Sequence, residues 1–297
     1  MKEFSIFLTI KIILFTCYIL SCLPLLDSAR EIPVLPRTTT EASALLKWKA
    51  SLDEQSQSRL SSWVGSNPCQ GWMGIGCSNG TANAQSFVTR IQLRNVSLIG
   101  TLLHLDAWSL QNLESLDLAY ITLFGNIPSN LVNMSQLRIL DLSNNNFSGI
   151  IPPEIGMLKY MGQLYLNTNS LDGHIPDSIG NLTNLGFLYL YNNKLSGPIP
   201  PELSGNWGLT DFEIKDNLIN GTIPISFRNF TRLKRFNIAN NLISGSIPEY
   251  FSNYTMLEVL DLSYNQFSGP IPAELGKRAA FVTFSVLNNS LSGSVPQ

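Results

Sequence analysis

The sequence predicts an α/β solenoid in the shape of a horseshoe, in which each repeat contributes one short parallel β-strand. Three observations predict it: a strict 24-residue period, an alternating apolar pattern at the same place in every unit, and a differently composed helical segment before the first unit. Hydrophobic residues make up 44% of the 297 residues and charged residues only 13%, which is enough apolar material for a large core.

The period is visible in three residue types that keep one phase from residue 113 to the C-terminus. Glycines recur from Gly125 to Gly293 and prolines from Pro128 to Pro296, every 24 residues. The recurrent asparagines are Asn145, Asn169, Asn193, Asn217, Asn241, Asn265 and Asn289. The unit reads L-x-x-L-x-L-x-x-N-x-L-x-G-x-I-P-x-x-L-x-x-L-x-x, which is a leucine-rich-repeat pattern.

Each part of the unit has a physical task. In the strand segment Leu140 and Leu142 point into the core, and the period of two predicts that Ile139, Asp141 and Ser143 point outward. The recurrent asparagine is predicted to form a buried ladder, because backbone groups that turn inside a solenoid need hydrogen-bond partners. The Gly-x-Ile-Pro segment forms the second leg, in which glycine permits the turn and proline prevents a long helix.

The repeats occupy residues 88–297, about nine in all, with an atypical first repeat at 88–112 and an incomplete, uncapped last one at 281–297. Residues 38–87 are predicted to form an N-terminal helical disulfide cap that covers the open first repeat. Its helix is expected to start at Thr39 or Thr40 as the N-cap residue. The apolar residues expected to cover the first repeat are Leu45, Leu46, Trp48, Leu52, Leu60 and Trp63.

Residues 1–29 have the organisation of a secretory signal peptide, with Lys2, an apolar stretch and a small pair ending at Ala29. An uncleaved anchor helix is the alternative. Lys11 and Pro24 disfavour it, because they interrupt the apolar run before it reaches the roughly 20 residues that a membrane span needs. The chain is therefore expected to be secreted or to act at the cell surface.

Cleavage would remove Cys17 and Cys22 and leave Cys69 and Cys77 in an oxidising compartment, where a disulfide is the default. The alternative is a free reactive pair. A bridge across so short a loop should stabilise the fold by about 2 to 3 kcal/mol.

Composition also excludes classes of function. A net charge of −2 without a basic run gives no surface for nucleic acid. The two histidines, His104 and His174, have no repeat-aligned serine or cysteine near them, so neither a catalytic residue, a metal site nor a cofactor is expected.

The candidate binding site lies on the outward positions three, five and seven of neighbouring strands, which align into columns. One aromatic patch is predicted there, formed by Tyr165, Phe187, Tyr189 and Tyr191. Its charged border consists of Asp211, Glu213, Lys215, Asp216 and Arg235. Because rings with charged neighbours are typical of binding hot spots, an extended peptide or a protein loop is the predicted ligand. The alternative is that strand-favouring aromatics merely cover the sheet.

Nine N-x-[ST] sequons offer glycosylation sites. Those predicted to carry glycans are Asn79, Asn133, Asn181, Asn229 and Asn253. The last four share position 21 of the repeat, on the outer leg, where a glycan leaves the strand face free. Glycans on Asn95 or Asn288, at position eight, would obstruct that face.

Three segments of the cap and the form of the repeat resemble those of a known protein family. ALLKWKASL at 44–52, SSW at 61–63, NPCQGWMGIGC at 67–77 and the LxGxIPxxLGxL repeat resemble the extracellular domains of plant leucine-rich-repeat receptor-like kinases. The segment LLKWKASL is similar to the corresponding segment in the MDIS-interacting receptor-like kinase group. The resemblance implies a plant-type horseshoe that binds a secreted peptide or protein ligand and pairs with a co-receptor leucine-rich-repeat kinase in growth or defence signalling.

Members of that family continue into a membrane span and a Ser/Thr kinase. This sequence has no second apolar span and no Gly-rich loop, HRD or DFG signature. It is expected to be an ectodomain truncated before those regions, not an enzyme, and attached to a membrane only through a missing C-terminal span or a partner. The alternative is a secreted inhibitor of a microbial cell-wall hydrolase. Polygalacturonase-inhibiting proteins resemble the chain in repeat type, but they carry more cysteines, including a C-terminal capping set.

Overall fold

The structure is a computed structural model that describes residues 37–78, 86–276 and 281–296. These residues all belong to one compact unit. The predicted signal peptide and the sequon at Asn79 lie outside the described residues.

One sheet of ten strands lines the concave face of the described repeats, and all pairs after the first are parallel. From the second repeat to the eighth, one strand comes from each repeat because Leu or Phe at position four is buried while its neighbours face the opposite side. The strands are β1 (Ile75–Cys77), β2 (Val88–Gln92), β3 (Ser115–Asp117), β4 (Ile139–Asp141), β5 (Gln163–Tyr165), β6 (Phe187–Tyr189), β7 (Asp211–Glu213), β8 (Arg235–Asn237), β9 (Val259–Asp261) and β10 (Thr283–Ser285). The predicted solenoid with one parallel strand per repeat is confirmed.

The second leg contains short strands that the sequence did not predict. They form small parallel sheets beside the main one. These strands are Phe124–Asn126, Asn146–Ile150 and Ser170–Asp172; Ser196–Pro198 and Leu218–Asn220; and Ser244–Gly245, Gln266–Pro270 and Ser290–Ser292. The recurrent glycine follows or lies within each strand in the left-handed region, as at Gly149 with φ +73°, so only glycine fits there without strain.

The outer leg consists of one 3₁₀ turn per repeat, in agreement with the predicted effect of proline. From the second to the seventh of these turns, Pro128 and its equivalents stand at the N-cap in extended conformation, and each segment is five residues long. The segments are Ala107–Leu110, Ser129–Asn133, Pro153–Met157, Asp177–Asn181, Pro201–Gly205, Ile225–Asn229 and Glu249–Asn253, followed by a short α-helix, α3 (Ala273–Gly276).

The asparagine ladder is confirmed. Asn169 donates from Nδ2 to the carbonyl of Leu142 in the preceding repeat at 3.0 Å and accepts from the Phe147 N–H at 3.0 Å. The same pair of bonds recurs from Asn145 to Asn289. Each asparagine therefore bonds one repeat to the next. In the first two repeats Val96 is partly buried and Ile121 fully buried at this position, so apolar packing replaces the ladder.

The cap is built from two helices, α1 (Arg37–Ala50) and α2 (Glu54–Arg59). The predicted start at Thr39 or Thr40 is wrong: α1 begins at Arg37, because no residue between 37 and 40 breaks a helix and threonine is tolerated inside one. The expected apolar cover is confirmed, since Trp48 and Trp63 are fully buried, although Leu46 is only partly buried. The side chain of Trp48 also donates to the Thr101 carbonyl at 2.8 Å.

The predicted disulfide joins Cys69 and Cys77, with the Cα atoms 5.7 Å apart. It closes the loop that carries Trp72, whose ring stacks on Trp63 with 5.5 Å between centroids. The buried Glu41 fixes the cap to the first repeat, because both of its carboxylate oxygens accept from the Val88 N–H, at 3.1 and 3.2 Å.

Candidate functional site

The predicted aromatic residues meet on the concave face because their strands pair in register. Tyr165 lies opposite both Asp141 and Tyr189, and Tyr189 lies opposite Glu213 on its other side. Position five of four neighbouring repeats therefore forms one row across β4 to β7.

The aromatic cluster is defined by Tyr165, Phe187, Tyr189 and Tyr191, with Tyr189 at its centre. The ring centroid of Tyr189 lies 5.0 Å from that of Tyr165, 6.0 Å from Tyr191 and 6.5 Å from Phe187. Each ring is partly buried against its neighbours, so the patch is less exposed than the sequence predicted. Ring pairs at such distances hold one another in place and leave their remaining faces to solvent.

The predicted charged residues surround this cluster. Arg235 Nε lies 3.5 Å from Asp211 Oδ1 and 3.2 Å from Glu213 Oε1. The Tyr189 hydroxyl donates to Asp211 at 3.4 Å. Lys215 Nζ stands 5.3 Å from the centre of the Tyr191 ring, a cation–π contact. Asp216 accepts a bond from Asn240 Nδ2 at 2.8 Å at the edge of the face.

A second ion-pair group was missed by the sequence analysis. Arg94 donates to Asp117 at 2.9 Å and also to Asp141, two repeats away. Asp141 accepts from the Ser143 backbone and hydroxyl as well, and each of these two residues is only 5% exposed. Asp141 and Ser143 lie on the outward face, as predicted, but their mutual hydrogen bond and the Arg94 ion pair bury them there. Asp117 and Asp141 share one guanidinium, and Asp211 and Glu213 share another.

Arg94 could have been found from the sequence. The first repeat has 25 residues, and the pairing of Gln92 with Asp117 places Arg94 at position seven. Extending the position-seven column to the first repeat would have predicted that the Arg94 guanidinium lies beside the carboxylate of Asp117.

The hydroxyls of the partly buried tyrosines in the cluster resist ionisation. Burial raises the pKa of Tyr165 to about 12, and the charges of Asp141 and Asp211 add to the effect. Burial also raises the pKa of Tyr189, with contributions from Asp211 and Glu213. The pKa of Glu213 is raised by burial, against the opposing effect of Arg235 and Lys215. At neutral pH the tyrosines of the cluster therefore remain hydrogen-bond donors.

The other sequence candidates lie elsewhere. His104 and His174 are exposed, and His174 Nδ1 lies 3.1 Å from the Ser196 carbonyl oxygen on the second leg. Across residues 37–78, 86–276 and 281–296, no group of three acidic, histidine or cysteine side chains could hold a metal ion. The described helices are all too short or too polar to cross a membrane.

The predicted glycosylation sites on the outer leg stand at the ends of the 3₁₀ segments. Asn181, Asn229 and Asn253 are exposed there, whereas Asn133 is partly buried. Asn95 and Asn288 lie at position eight with positive φ, beside the first and last strands of the repeats. Between these two asparagines the position-eight column carries no sequon, so the aromatic cluster lies on a sequon-free stretch of the sheet.

The cap and six of the repeats match known protein-family models. Residues 39–78, which form most of the cap, match the leucine rich repeat N-terminal domain. Residues 136–158, 162–182, 184–206 and 208–267, which supply β4 to β9, match leucine rich repeat models. The chain belongs to the leucine-rich-repeat proteins.

Among relatives of this leucine-rich-repeat chain is MDIS1-interacting receptor like kinase 2 of Arabidopsis thaliana, which is 39% identical over 94 residues. That match covers 30% of this chain and only 8% of the kinase. The MDIS-type resemblance is thereby confirmed over that segment.

Two solved structures extend the similarity to most of the leucine-rich-repeat chain. The ectodomain of GASSHO1/SCHENGEN3 from Arabidopsis thaliana, solved with CASPARIAN STRIP INTEGRITY FACTOR 2, is 32% identical with a TM-score of 0.79, over 86% of this chain and 30% of that one. The Arabidopsis receptor kinase HAESA, solved with the peptide hormone IDA and the co-receptor SERK1, is 31% identical with a TM-score of 0.71, over 86% and 47%. The plant receptor-kinase ectodomain fold is confirmed.

Proposed function

We propose that this chain is an extracellular ligand-recognition module of the plant leucine-rich-repeat receptor type, which binds an extended peptide or a protein loop on its concave face. The observation that carries the proposal is the aromatic cluster, in which the Tyr189 ring contacts those of Tyr165, Phe187 and Tyr191 on the concave face. Partly buried rings lose little side-chain entropy on binding and supply apolar area, which is how hot spots contribute most of an interface's affinity.

The position of the cluster supports this function. It spans β5 and β6 with charged residues on both sides, so a ligand that crosses the strands meets an apolar centre and a polar rim. The similar ectodomains of GASSHO1/SCHENGEN3 and HAESA are receptors solved with their ligands, and the HAESA complex includes a co-receptor. A secreted ligand and a co-receptor leucine-rich-repeat kinase are the corresponding partners proposed here, in growth or defence signalling.

The proposed glycosylation sites are compatible with a ligand on the concave face. Those proposed on Asn181, Asn229 and Asn253 would cover the outer leg and leave the concave face open to the ligand. Recognition, not catalysis, is the proposed activity, because a solvent-open curved sheet supplies affinity without the enclosed cleft that catalytic sites use.

The test is a binding screen of the secreted chain against a displayed library of random peptides of about ten residues, which at roughly 3.3 Å per residue can cross the cluster. Peptides enriched on the native chain are then measured against Tyr189→Ala. Binding should weaken about tenfold or more, the usual effect of removing a central aromatic anchor.

Trp207→Ala is the matched control, because Trp207 is an aromatic residue 75% exposed on the outer side and away from the concave strands. It should leave binding unchanged. Peptides that bind Tyr189→Ala as well as the native chain would show that the cluster only covers the sheet.

A further inference from the structure

The position-five row on the concave face has a carboxylate at each end and two aromatic rings between them. From β4 to β7 it reads Asp141, Tyr165, Tyr189 and Glu213, each residue opposite the next. Neighbouring strands lie ~4.8 Å apart, so the row is about 14 Å long. We call these four residues the tyrosine row.

Each end of the tyrosine row has more carboxylates than cations. At one end Asp117 and Asp141 share the single guanidinium of Arg94. At the other end Asp211 and Glu213 share Arg235. Two carboxylates against one guanidinium leave one negative charge in excess at each end. Lys215 also acts on Glu213, and Asp216 follows it in the sequence, so with these two residues included this end has three carboxylates and two cations and the excess remains.

This excess acts on the two rings in the row. Burial is the main cause of the raised pKa of both tyrosines. The charges of Asp141 and Asp211 add to it at Tyr165, and those of Asp211 and Glu213 add to it at Tyr189. Arg94 and Arg235 oppose these carboxylates, but their effect is the smaller one. The rings therefore lie in a negative potential, to which the electron-rich face of each ring adds.

The chain already places its own cations on tyrosine faces beside this row. Lys215 Nζ lies 5.3 Å from the centre of Tyr191, and Arg94 Cζ lies 5.9 Å from the centre of Tyr120. Tyr165 and Tyr189 have no such cation over their rings among the described residues, although together they form the pair that has a carboxylate at each end. Their free faces are thus the ones best prepared for a cation from outside.

We propose that the ligand of the concave face carries a lysine or arginine side chain, which docks on the rings of Tyr165 and Tyr189 between Asp141 and Glu213. A cation gains there from both the ring faces and the uncompensated carboxylates. An acidic side chain would meet repulsion at the same place. This inference rests on the proposed function and names the ligand chemistry of that site.

The experiment screens the secreted chain against two displayed libraries of random peptides of about ten residues, the length that crosses the row at roughly 3.3 Å per residue. One library encodes lysine and arginine, and the other replaces both by glutamine. We expect peptides whose binding depends on Tyr189 only from the first library. Changing the shared basic residue of such a peptide to norleucine, which leaves the protein untouched, should weaken binding about tenfold.

Asp211→Asn combined with Glu213→Gln should weaken the same peptides by about tenfold, since it removes the excess charge at one end of the row. Asp177→Asn combined with Glu202→Gln is the control for net charge, because both residues are exposed on the outer leg, and it should have no effect. The norleucine peptide decides the question even if the double variant folds poorly.

The outcomes separate the two proposals. Peptides that depend on Tyr189 but are neutral or acidic would overturn this inference and leave the proposed function standing. A screen that yields no peptide dependent on Tyr189 would overturn the proposed function, and the inference with it.

Discussion

Asn217 and Leu190 are joined across adjacent repeats: the Asn217 Nδ2 donates to the Leu190 carbonyl at 3.0 Å, while its Oδ1 accepts from the Leu195 N–H at 2.9 Å. Asn217 is 8% exposed, so water replaces these bonds poorly. Asn217→Ala should therefore lower the free energy of unfolding by about 3 kcal/mol, since it leaves buried backbone groups unpaired. Chemical denaturation measures this. Asn184→Ala, at an exposed asparagine with a single bond to Lys159, should stay within about 0.5 kcal/mol; equal effects would contradict the ladder argument.

Asn206 is a polar residue at an apolar position. It is fully buried, its Nδ2 donates to the Ile179 carbonyl at 3.2 Å, and its Oδ1 has no hydrogen-bond partner among the described residues. Leu182 and Phe230 hold the equivalent position in the flanking repeats. Asn206→Leu should raise the free energy of unfolding by about 1 kcal/mol, because it removes an unpaired buried oxygen. A thermal melt with a lower midpoint than the native chain would mean that an unseen partner satisfies this oxygen.

Gly180 lies where two outer legs approach each other closely. A Cβ atom there would stand 2.3 Å from the Glu202 carbonyl oxygen, which belongs to backbone and cannot move aside. Gly180→Ala should cost about 2 kcal/mol of unfolding free energy, as overpacked sites do. Gly186→Ala is the matched control, because its Cβ would meet its nearest neighbour at an ordinary 3.7 Å. A larger loss for Gly186→Ala than for Gly180→Ala would refute the steric explanation.

The Cys69–Cys77 disulfide should stabilise the cap by restricting its unfolded loop. The residues are eight apart in sequence, so the double variant Cys69→Ser and Cys77→Ser should lose about 2.5 kcal/mol. Because stability in a solenoid depends on neighbour contacts, the loss should appear first at the cap. Hydrogen exchange would show faster exchange near Trp63 and Trp72 than in β6 or β7. Uniform acceleration across all strands would contradict a local role.

Tyrosine ionisation should destabilise the fold at high pH. The folded-state pKa of Tyr165 is about 12, above its ordinary value of 10.0, so folding disfavours the charged form. The stability that the neutral Tyr165 contributes to the fold is complete below pH 10 and is lost as the pH rises towards 12. Ultraviolet titration should show a tyrosine phase near pH 12 that is absent from the chemically unfolded chain and reduced in Tyr165→Phe. If the phase near pH 12 is unchanged in Tyr165→Phe, other tyrosines produce it.

Much of this fold could be predicted because the repeat imposes the same local requirement many times. The bonds of the asparagine ladder and the 3₁₀ turns after Pro152 and its equivalents follow from residue types that recur at one phase. The start of α1 at Arg37 could not be predicted, because several residues in a row tolerate a helix equally well. The second-leg strands were missed for a different reason. Their hydrogen bonds join residues such as Ser148 and Ser170 in different repeats, and nothing in either segment alone requires them.

The candidate site, like the fold, could be predicted from the sequence only in part. Aligning the outward positions of the repeats predicted that four residues lie together, namely Tyr165, Phe187, Tyr189 and Tyr191. The prediction holds because the strand register follows the 24-residue period. The alignment did not predict that these rings would be partly buried in one another, or that Arg94 would cross two repeats to reach Asp141. Both depend on side-chain conformations that many neighbours select at once.

The sequence by itself determined the repeat, the disulfide partners, the inward and outward faces and the row from Asp141 to Glu213. A period of two within strands and of 24 between them assigns every residue to a face and a column. Only the tertiary structure decided how the outward charges are shared, with two carboxylates for each of Arg94 and Arg235. Long polar side chains can reach several columns, and the partner they take is set by the distances and burial that exist only after the repeats have stacked.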